Sequence, residues 1–280
     1  MVSTSLFPPT GPEGPASRFR LAPDPRSEAA HRRRLLRDID GAVQSNAFIL
    51  HYQPRIALDS GERTGAEALI RWQHPRRGMV PPAQFIPIAE KNGRIGAIGG
   101  WVLQAACREA ASWPEPSIVS VNVSARQLED GLLLGQVATA LELSGLDPER
   151  LELELTEGLL VDVAVDMLLM LSAIRDLGVG IALDDFGTGF ASLGMLKRLP
   201  LTTMKLDRSL VRNLPADHED AAIARAVIAA GHAMGLQVVA EGIETEAQRA
   251  FLSACGCDEG QGYLFGHPLP AGALRPGGAA

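Results

Sequence analysis

Five acidic residues and one lysine fall where short apolar strand patterns give way to loops: Glu67, Glu154, Asp184, Asp185, Glu241 and Lys205. Asn122 ends a further strand pattern in the same way. In a strand–helix repeat, polar residues at the C-terminal ends of several strands gather in one mouth. Carboxylates gathered there repel one another, and each is costly to desolvate alone. Divalent cations relieve both penalties. The donors are all hard oxygens, without clustered Cys or His, which selects Mg²⁺, Mn²⁺ or Ca²⁺ over Zn²⁺. Two such ions ~3.5–4 Å apart suit in-line hydrolysis of a phosphodiester. Lys205 adds a fixed cation for the attacking water or the developing charge. Taken singly, each residue has an ordinary structural role: a strand Glu faces solvent, and an Asp-Asp pair caps a turn. Glu152, in Leu151-Glu152-Leu153-Glu154, could equally be the inward residue. The joint pattern carries the inference.

The elements that must position these residues follow from periodicity. Strands are expected over 48–58, 63–72, 117–123, 151–156, 180–184, 203–206, 237–240 and 259–264. Helices are expected over 27–44, 82–92, 95–113, 128–144, 164–177, 191–198, 219–234 and 246–254. The turn Asp59-Ser60-Gly61-Glu62 is too short for a crossover helix, so the first two strands should be antiparallel. Eight strands then close an α/β, (β/α)8-type barrel whose first strand runs backwards. Gly93, Gly145, Gly178, Gly235 and Gly256 follow helix patterns as expected left-handed caps.

The rest of the chain narrows the function class. Residues 1–27 are rich in Pro, Gly and Ser and are expected to be a disordered tail; 28–270 form the folded domain, and 271–280 a flexible end. The net charge of −7 argues against broad binding of nucleic acid or an anionic membrane. The basic run His31-Arg32-Arg33-Arg34 reads as a solvated helix face. Cys107, Cys255 and Cys257 suggest neither a disulfide framework nor a zinc site. There is no secretory-signal pattern and no apolar run of the ~18–20 residues that span a bilayer. A cytoplasmic protein is expected.

Eight segments in order resemble the EAL domain family of cyclic di-GMP phosphodiesterases. They are Glu67-Ala68-Leu69-Ile70-Arg71-Trp72-Gln73-His74-Pro75, the stretch from Pro82 to Glu90, Asn122-Val123-Ser124 and Glu154-Leu155-Thr156-Glu157. The others are Asp184-Asp185-Phe186-Gly187-Thr188-Gly189-Phe190, Lys205-Leu206-Asp207-Arg208, Ala240-Glu241-Gly242-Ile243-Glu244 and Gln261-Gly262-Tyr263. The resemblance covers about residues 30 to 270 and agrees with the reversed first strand. It implies Glu67, Asn122, Glu154 and Asp184 as ligands of a first metal, with Asp184 and Asp185 reaching a second. Lys205 matches the lysine that contacts the catalytic water. Glu241 matches a glutamate that is either general base or second-metal ligand, and the sequence does not choose. Gln261 matches a glutamine supporting the site. Gln53, Leu69, Arg71 and Asp207 match substrate contacts, with Arg71 suited to a phosphate by its fork of donors. Glu157 and Glu244 match glutamates that brace the loop after Asp185. Phe190-Ala191-Ser192 departs from the family's usual Tyr-Ser-Ser but removes no charged residue.

The resemblance implies hydrolysis of cyclic di-GMP to linear pGpG with Mg²⁺ or Mn²⁺, two ions per site, and inhibition by Ca²⁺. The rival is an inactive EAL domain acting as a cyclic di-GMP receptor or protein-interaction module. Such domains typically lack one of the charged residues, and none is missing here. Another phosphodiester substrate is disfavoured by the matches at Gln53 and Asp207. A homodimer is expected, with residues 186–192 linking its interface to the metals, and control by a protein partner in trans is open.

Overall fold

Strand alternation and helix periodicity close the chain into one barrel, seen in a computed structural model that describes residues 25–43, 45, 47–114, 116–160, 164–187 and 193–274. The expectations for residues 1–24, 188–192 and 275–280 lie outside these. The elements in order are α1 (Pro25–Ala42), β1 (Phe48–Ala57), β2 (Arg63–His74), β3 (Gly78–Val80), α2 (Pro82–Lys91), α3 (Ile95–Ala111), β4 (Ile118–Val123), α4 (Ala125–Glu129) and α5 (Leu133–Ser144). There follow β5 (Leu151–Thr156), α6 (Val165–Asp176), β6 (Gly180–Phe186), α7 (Leu193–Leu196), β7 (Thr203–Leu206), α8 (Arg208–Val211), α9 (His218–Ala233), β8 (Gln237–Ala240), α10 (Glu246–Ala254), β9 (Glu259–Gly260) and β10 (Leu269–Pro270).

Strands β2, β4, β5, β6, β7, β8 and β9 pair in that order, each parallel to the next, and β1 closes the ring antiparallel to both β2 and β9. The structure is thus the expected (β/α)8-type barrel with a reversed first strand. Outward residues such as Val121, Leu153, Leu183 and Met204 are fully buried under the helices and form the main core. The five expected cap glycines all have positive φ.

Several boundaries differ from expectation for local reasons. Residues 25–27 already belong to α1, and Ala271–Leu274 form a 3-10 turn rather than a loose end. The helix expected over 128–144 is split. Ser124 and Gln127 form a capping box that starts α4, and Gly131, with φ of 68°, breaks the chain before α5. Strand β9 ends at Gly260 because the chain turns back on itself. At Gly262 an added Cβ would lie 2.1 Å from the carbonyl oxygen of Ile243, so only glycine permits that approach. Glu67, expected at a strand end, lies in the middle of β2. Pairing with β4 stops at Ala68, and β2 runs on past the rim to pair with β3. The barrel mouth therefore crosses β2 at Glu67, which a local pattern does not reveal.

The barrel interior is polar. Both Glu152 and Glu154 are buried, so the choice between them dissolves. Glu152 belongs to a lower layer, where Arg55 on the reversed strand pairs with Glu152 and donates from Nε to Glu259 at 2.8 Å. Burial alone would depress the pKa of Arg55, but the charges of Glu152 and Glu259 outweigh it and raise it. Gln237 donates to Glu259 at 2.8 Å, and Thr203 to Glu152. Removing one partner of such a pair leaves an uncompensated buried charge. Arg55→Met is therefore expected to lower unfolding free energy by about 3–5 kcal/mol in urea titrations. Adding Glu152→Gln and Glu259→Gln should recover most of that loss. A loss below about 1 kcal/mol in the single variant would contradict a stabilising ion pair here.

Candidate active site

One layer above Arg55, strand ends deliver carboxylates around Lys205. Its ammonium is fully buried and lies 2.6 Å from Glu241, 2.9 Å from Glu154 and 3.2 Å from Asp184. β7 pairs with β6 and β8, so Lys205 projects between Asp184 on β6 and Glu241 just after β8, with Glu154 one strand further away on β5. Burial would lower its pKa, but Glu154, Glu241 and Asp184 together hold it well above the usual lysine range.

Asp184 and Asp185 are consecutive, and strand alternation would send them to opposite faces. A register shift resolves this. Leu183 pairs with Met204 and Phe186 with Leu206, so two residues of β6 stand opposite Lys205 alone. Asp185 sits in the left-handed region with φ of 58°, unusual for a residue with a side chain. The bulge turns both carboxylates toward the mouth, and donor atoms of Asp184, Asp185 and Glu241 lie within 4.8 Å of one another.

Glu67 is held from both sides. Asn122 Nδ2 and Gln261 Nε2 each donate to it at 2.7 Å. Gln261 also donates to Gln53 Oε1 at 3.0 Å, and Gln53 lies directly across from Glu67 in the β1–β2 pairing. Burial would raise the pKa of Glu67, but Lys205 and these two hydrogen bonds hold it low. Glu154 behaves oppositely. Burial drives its carboxyl well above the usual range, and the nearby charges of Glu67, Asp184 and Glu241 add to this despite Lys205. Burial likewise pushes Glu241 up to about 8, with Asp184 and Glu67 adding to the effect against Lys205. Asp185 rises to about 6 through burial and its neighbours Asp184 and Asp207.

The donor set fits divalent cations. Among the described residues, buried Oε1 of Glu154 has no donor against it, and Oε2 of Glu154 and Oδ1 of Asp184 are met by the shared Lys205 ammonium. Five carboxylates meet a single ammonium, which leaves excess negative charge that hard cations with oxygen preferences would neutralise.

The remaining expected residues divide. Glu157 Oε2 accepts the N–H of Gly187 at 3.2 Å, so it grips the chain immediately after the aspartates. The exposed Glu244 side chain lines a polar cavity of about 190 Å³ with Gln53, Glu67, Glu241 and Gln261; most of the loop it was expected to brace, 186–192, lies outside the described residues. Leu69 lines a second, mostly apolar cavity of about 320 Å³ beside Asn122. Arg71 is half-buried on β2, donating to the carbonyl of Ile70 at 2.9 Å. Asp207 lines neither cavity. It caps α8 by accepting the N–H of Ser209 at 2.9 Å and lies against Asp185. Sequence reasoning assigned no role to Ile86, Glu90, Ile98 and Val102, which wall the apolar cavity, or to Arg208 and Tyr263, which line the polar one. The family-like stretch from Pro82 to Glu90 and the Tyr after Gln261-Gly262 were the available signals.

Comparison with known proteins agrees with this geometry. A family model described as EAL domain matches residues 36–268. The bifunctional diguanylate cyclase/cyclic di-GMP phosphodiesterase MucR of Pseudomonas aeruginosa is 43% identical over 249 residues, covering 88% of this chain and 36% of MucR. The cyclic di-GMP phosphodiesterase NbdA of the same organism is 44% identical over 238 residues, covering 84% of this chain and 30% of NbdA. The chain thus spans about a third of the length of these curated relatives. Among solved structures, a PaMucR phosphodiesterase in complex with c-di-GMP superposes with a TM-score of 0.81 at 44% identity, covering 86% of this chain and 99% of that one. A family match over most of the folded residues, on a barrel with the reversed strand that the short turn at residues 59–62 implied, shows that the chain belongs to the EAL domain family.

Proposed function

We propose that this domain hydrolyses cyclic di-GMP to linear pGpG with Mg²⁺ or Mn²⁺, two ions per site. The observation that carries the reading is the complete acid set around a fully buried Lys205, whose one ammonium is shared by Glu154, Asp184 and Glu241. An inactive receptor would have no need to keep all five carboxylates converged against their repulsion. The relatives named as cyclic di-GMP phosphodiesterases support the substrate.

Glu67, Asn122, Glu154 and Asp184 would hold a first ion, and Asp184 with Asp185 a second. The ions, when bound, supply charge for the in-line transition state and a more acidic water. The protein's own groups do the rest. Lys205 keeps a fixed positive charge where the attacking oxygen approaches phosphorus. As the new P–O bond forms, the bond to the 3′ oxygen breaks and that oxygen takes a proton. Glu241, 2.6 Å from Lys205, can accept the proton of the attacking water or complete the second cation site. Gln261 and Asn122 hold Glu67 in one orientation, so its oxygen donors are preorganised. Arg71 contributes a guanidinium fork for a phosphate, and the apolar cavity beside Leu69 offers a face on which a purine can pack. The free thiols fit a reducing compartment, the cytoplasm. Among the described residues no helix is long and apolar enough to cross a membrane.

The domain is further proposed to work as a homodimer in which the segment after Asp185 couples the interface to the acids. The grip of Glu157 on Gly187 and the left-handed backbone of Asp185 support this, since moving that segment moves both aspartates.

Incubation with cyclic di-GMP and Mg²⁺, Mn²⁺ or Ca²⁺, with products separated by chromatography, tests substrate, product and metal together. Turnover to pGpG is expected with the first two ions, and binding without turnover with Ca²⁺. Glu67→Ala or Asp184→Ala should leave a folded protein with almost no activity; near-native turnover in Mg²⁺ by either would end the metal-site reading. Lys205→Met should lower kcat far more than it raises KM, because the ammonium acts on charge that develops in the transition state. A change in KM alone would make Lys205 a substrate anchor. Glu157→Ala should weaken metal activation by ~10–100-fold without removing a ligand, read by metal titration alongside light scattering. Unchanged metal dependence would refute the coupling, and a fully active monomer would refute the dimer.

A further inference from the structure

We propose that the recess between α1 and the β2–β3 hairpin binds a polyphosphate anion: pyrophosphate or the phosphate tail of a nucleoside triphosphate. The inference does not depend on the hydrolytic reading above. The basic run on α1 reads from sequence as a solvated face, but the fold gives it a counterpart. Arg34 and Arg37, one helical turn apart, line a recess of about 580 Å³ together with Arg76 and Arg77 from the hairpin. Asp38 and His74 complete the lining.

The chemistry of the lining favours an anion. His74 is buried; its Nδ1 accepts the backbone N–H of Arg76 at 3.1 Å, which leaves Nε2 to donate to Asp38 at 3.1 Å. Asp38 also lies 3.8 Å from the Arg76 guanidinium. The one carboxylate that lines the recess among the described residues is therefore already engaged. Neither Arg34 nor Arg37 has an acidic partner among the described residues. Nearby Asp40, the other acid at this end of α1, is taken by Arg94 at 2.5 Å. Among the described residues, Arg34, Arg37 and Arg76, with Arg77 already engaged elsewhere, thus surround one occupied carboxylate on a chain whose net charge is −7. Guanidinium forks match phosphate oxygens two at a time, and several converging forks suit adjacent phosphates better than one. The recess is large enough for a nucleotide. None of its residues belongs to the carboxylate cluster, which would repel the same ligand. An anion held there would tie α1 to the hairpin that continues β2, the strand of Glu67, Leu69 and Arg71.

The test is calorimetric titration of the metal-free protein with sodium pyrophosphate, and in parallel arms with ATP, GTP and AMP. A single site is expected for pyrophosphate, weakened by added salt as charge pairing requires, and accompanied by a rise in Tm. Equal affinity for pyrophosphate and the triphosphates means that the phosphates alone are held; tighter triphosphate binding means that the nucleoside is held as well. Either supports the site. Arg34→Ala/Arg37→Ala should weaken binding at least tenfold while leaving the Tm of the ligand-free protein unchanged. Arg126→Ala, a distant exposed arginine, should bind as the parent does. No pyrophosphate binding by the parent, undiminished binding by the double variant, or binding confined to long polyanions such as single-stranded RNA would overturn the proposal.

Discussion

The constraint on which the rest of this structure depends is the desolvation of one ammonium among several carboxylates. Lys205 is fully buried, and Glu154 beside it is equally so. A lone buried charge of either sign would cost many kcal/mol or lose its proton. Here Lys205 is held charged by three acids at 2.6, 2.9 and 3.2 Å. The compensation is incomplete in the other direction, because the acids outnumber the cation. That imbalance gives the site its chemical character. Glu154, Glu241 and Asp185 resist ionisation as they stand, whereas Glu67, with two amide donors, does not.

The barrel supplies this arrangement through features that regular (β/α)8 geometry would lack. Alternation along β6 cannot point adjacent residues the same way, and the bulge opposite Lys205 allows it. A parallel first strand would not place Gln53 across from Glu67; the reversed β1 does, and Gln261 then joins the two side chains. The same strand carries Arg55 into the layer below, where it ties β1 to β5 and β9. The site therefore stands on a second charged layer rather than on an apolar plug. Fold stability and site geometry are coupled through β1.

The surroundings of the acids differ on the two sides of the mouth. Beside Asn122 the walls are mostly aliphatic, from β2, α2 and α3; beside Glu241 they are amide, carboxylate, guanidinium and phenol. An apolar wall next to a charged centre suits a ligand with flat bases and a charged backbone. Many unrelated reactions share this barrel, so the case for phosphodiester chemistry rests on the acids, the lysine and the family rather than on the architecture.

The sequence by itself determined the strand and helix alternation, the reversed first strand and the identity of the acids that meet. Each of these is local: period-2 patterning, a turn too short for a crossover, glycine caps, and motif residues adjacent in the chain. The family resemblance also implied that Glu157 would brace the segment after Asp185, and its bond to the Gly187 N–H is present. Other features depend on relations between strands distant in sequence, which no window of residues encodes. Glu67 is mid-strand because β2 outruns the barrel. Strand alternation points Glu152 inward with Glu154, but its partner there, Arg55, almost 100 residues earlier, is set by closure of the barrel. Both aspartates face the mouth because β6 slips in register against β7. The apolar cavity and the arginine-lined recess each form where separate segments meet. Composition and pattern choose which face of an element is buried. Only closure of the barrel, with its particular register, decides what each buried charge will touch.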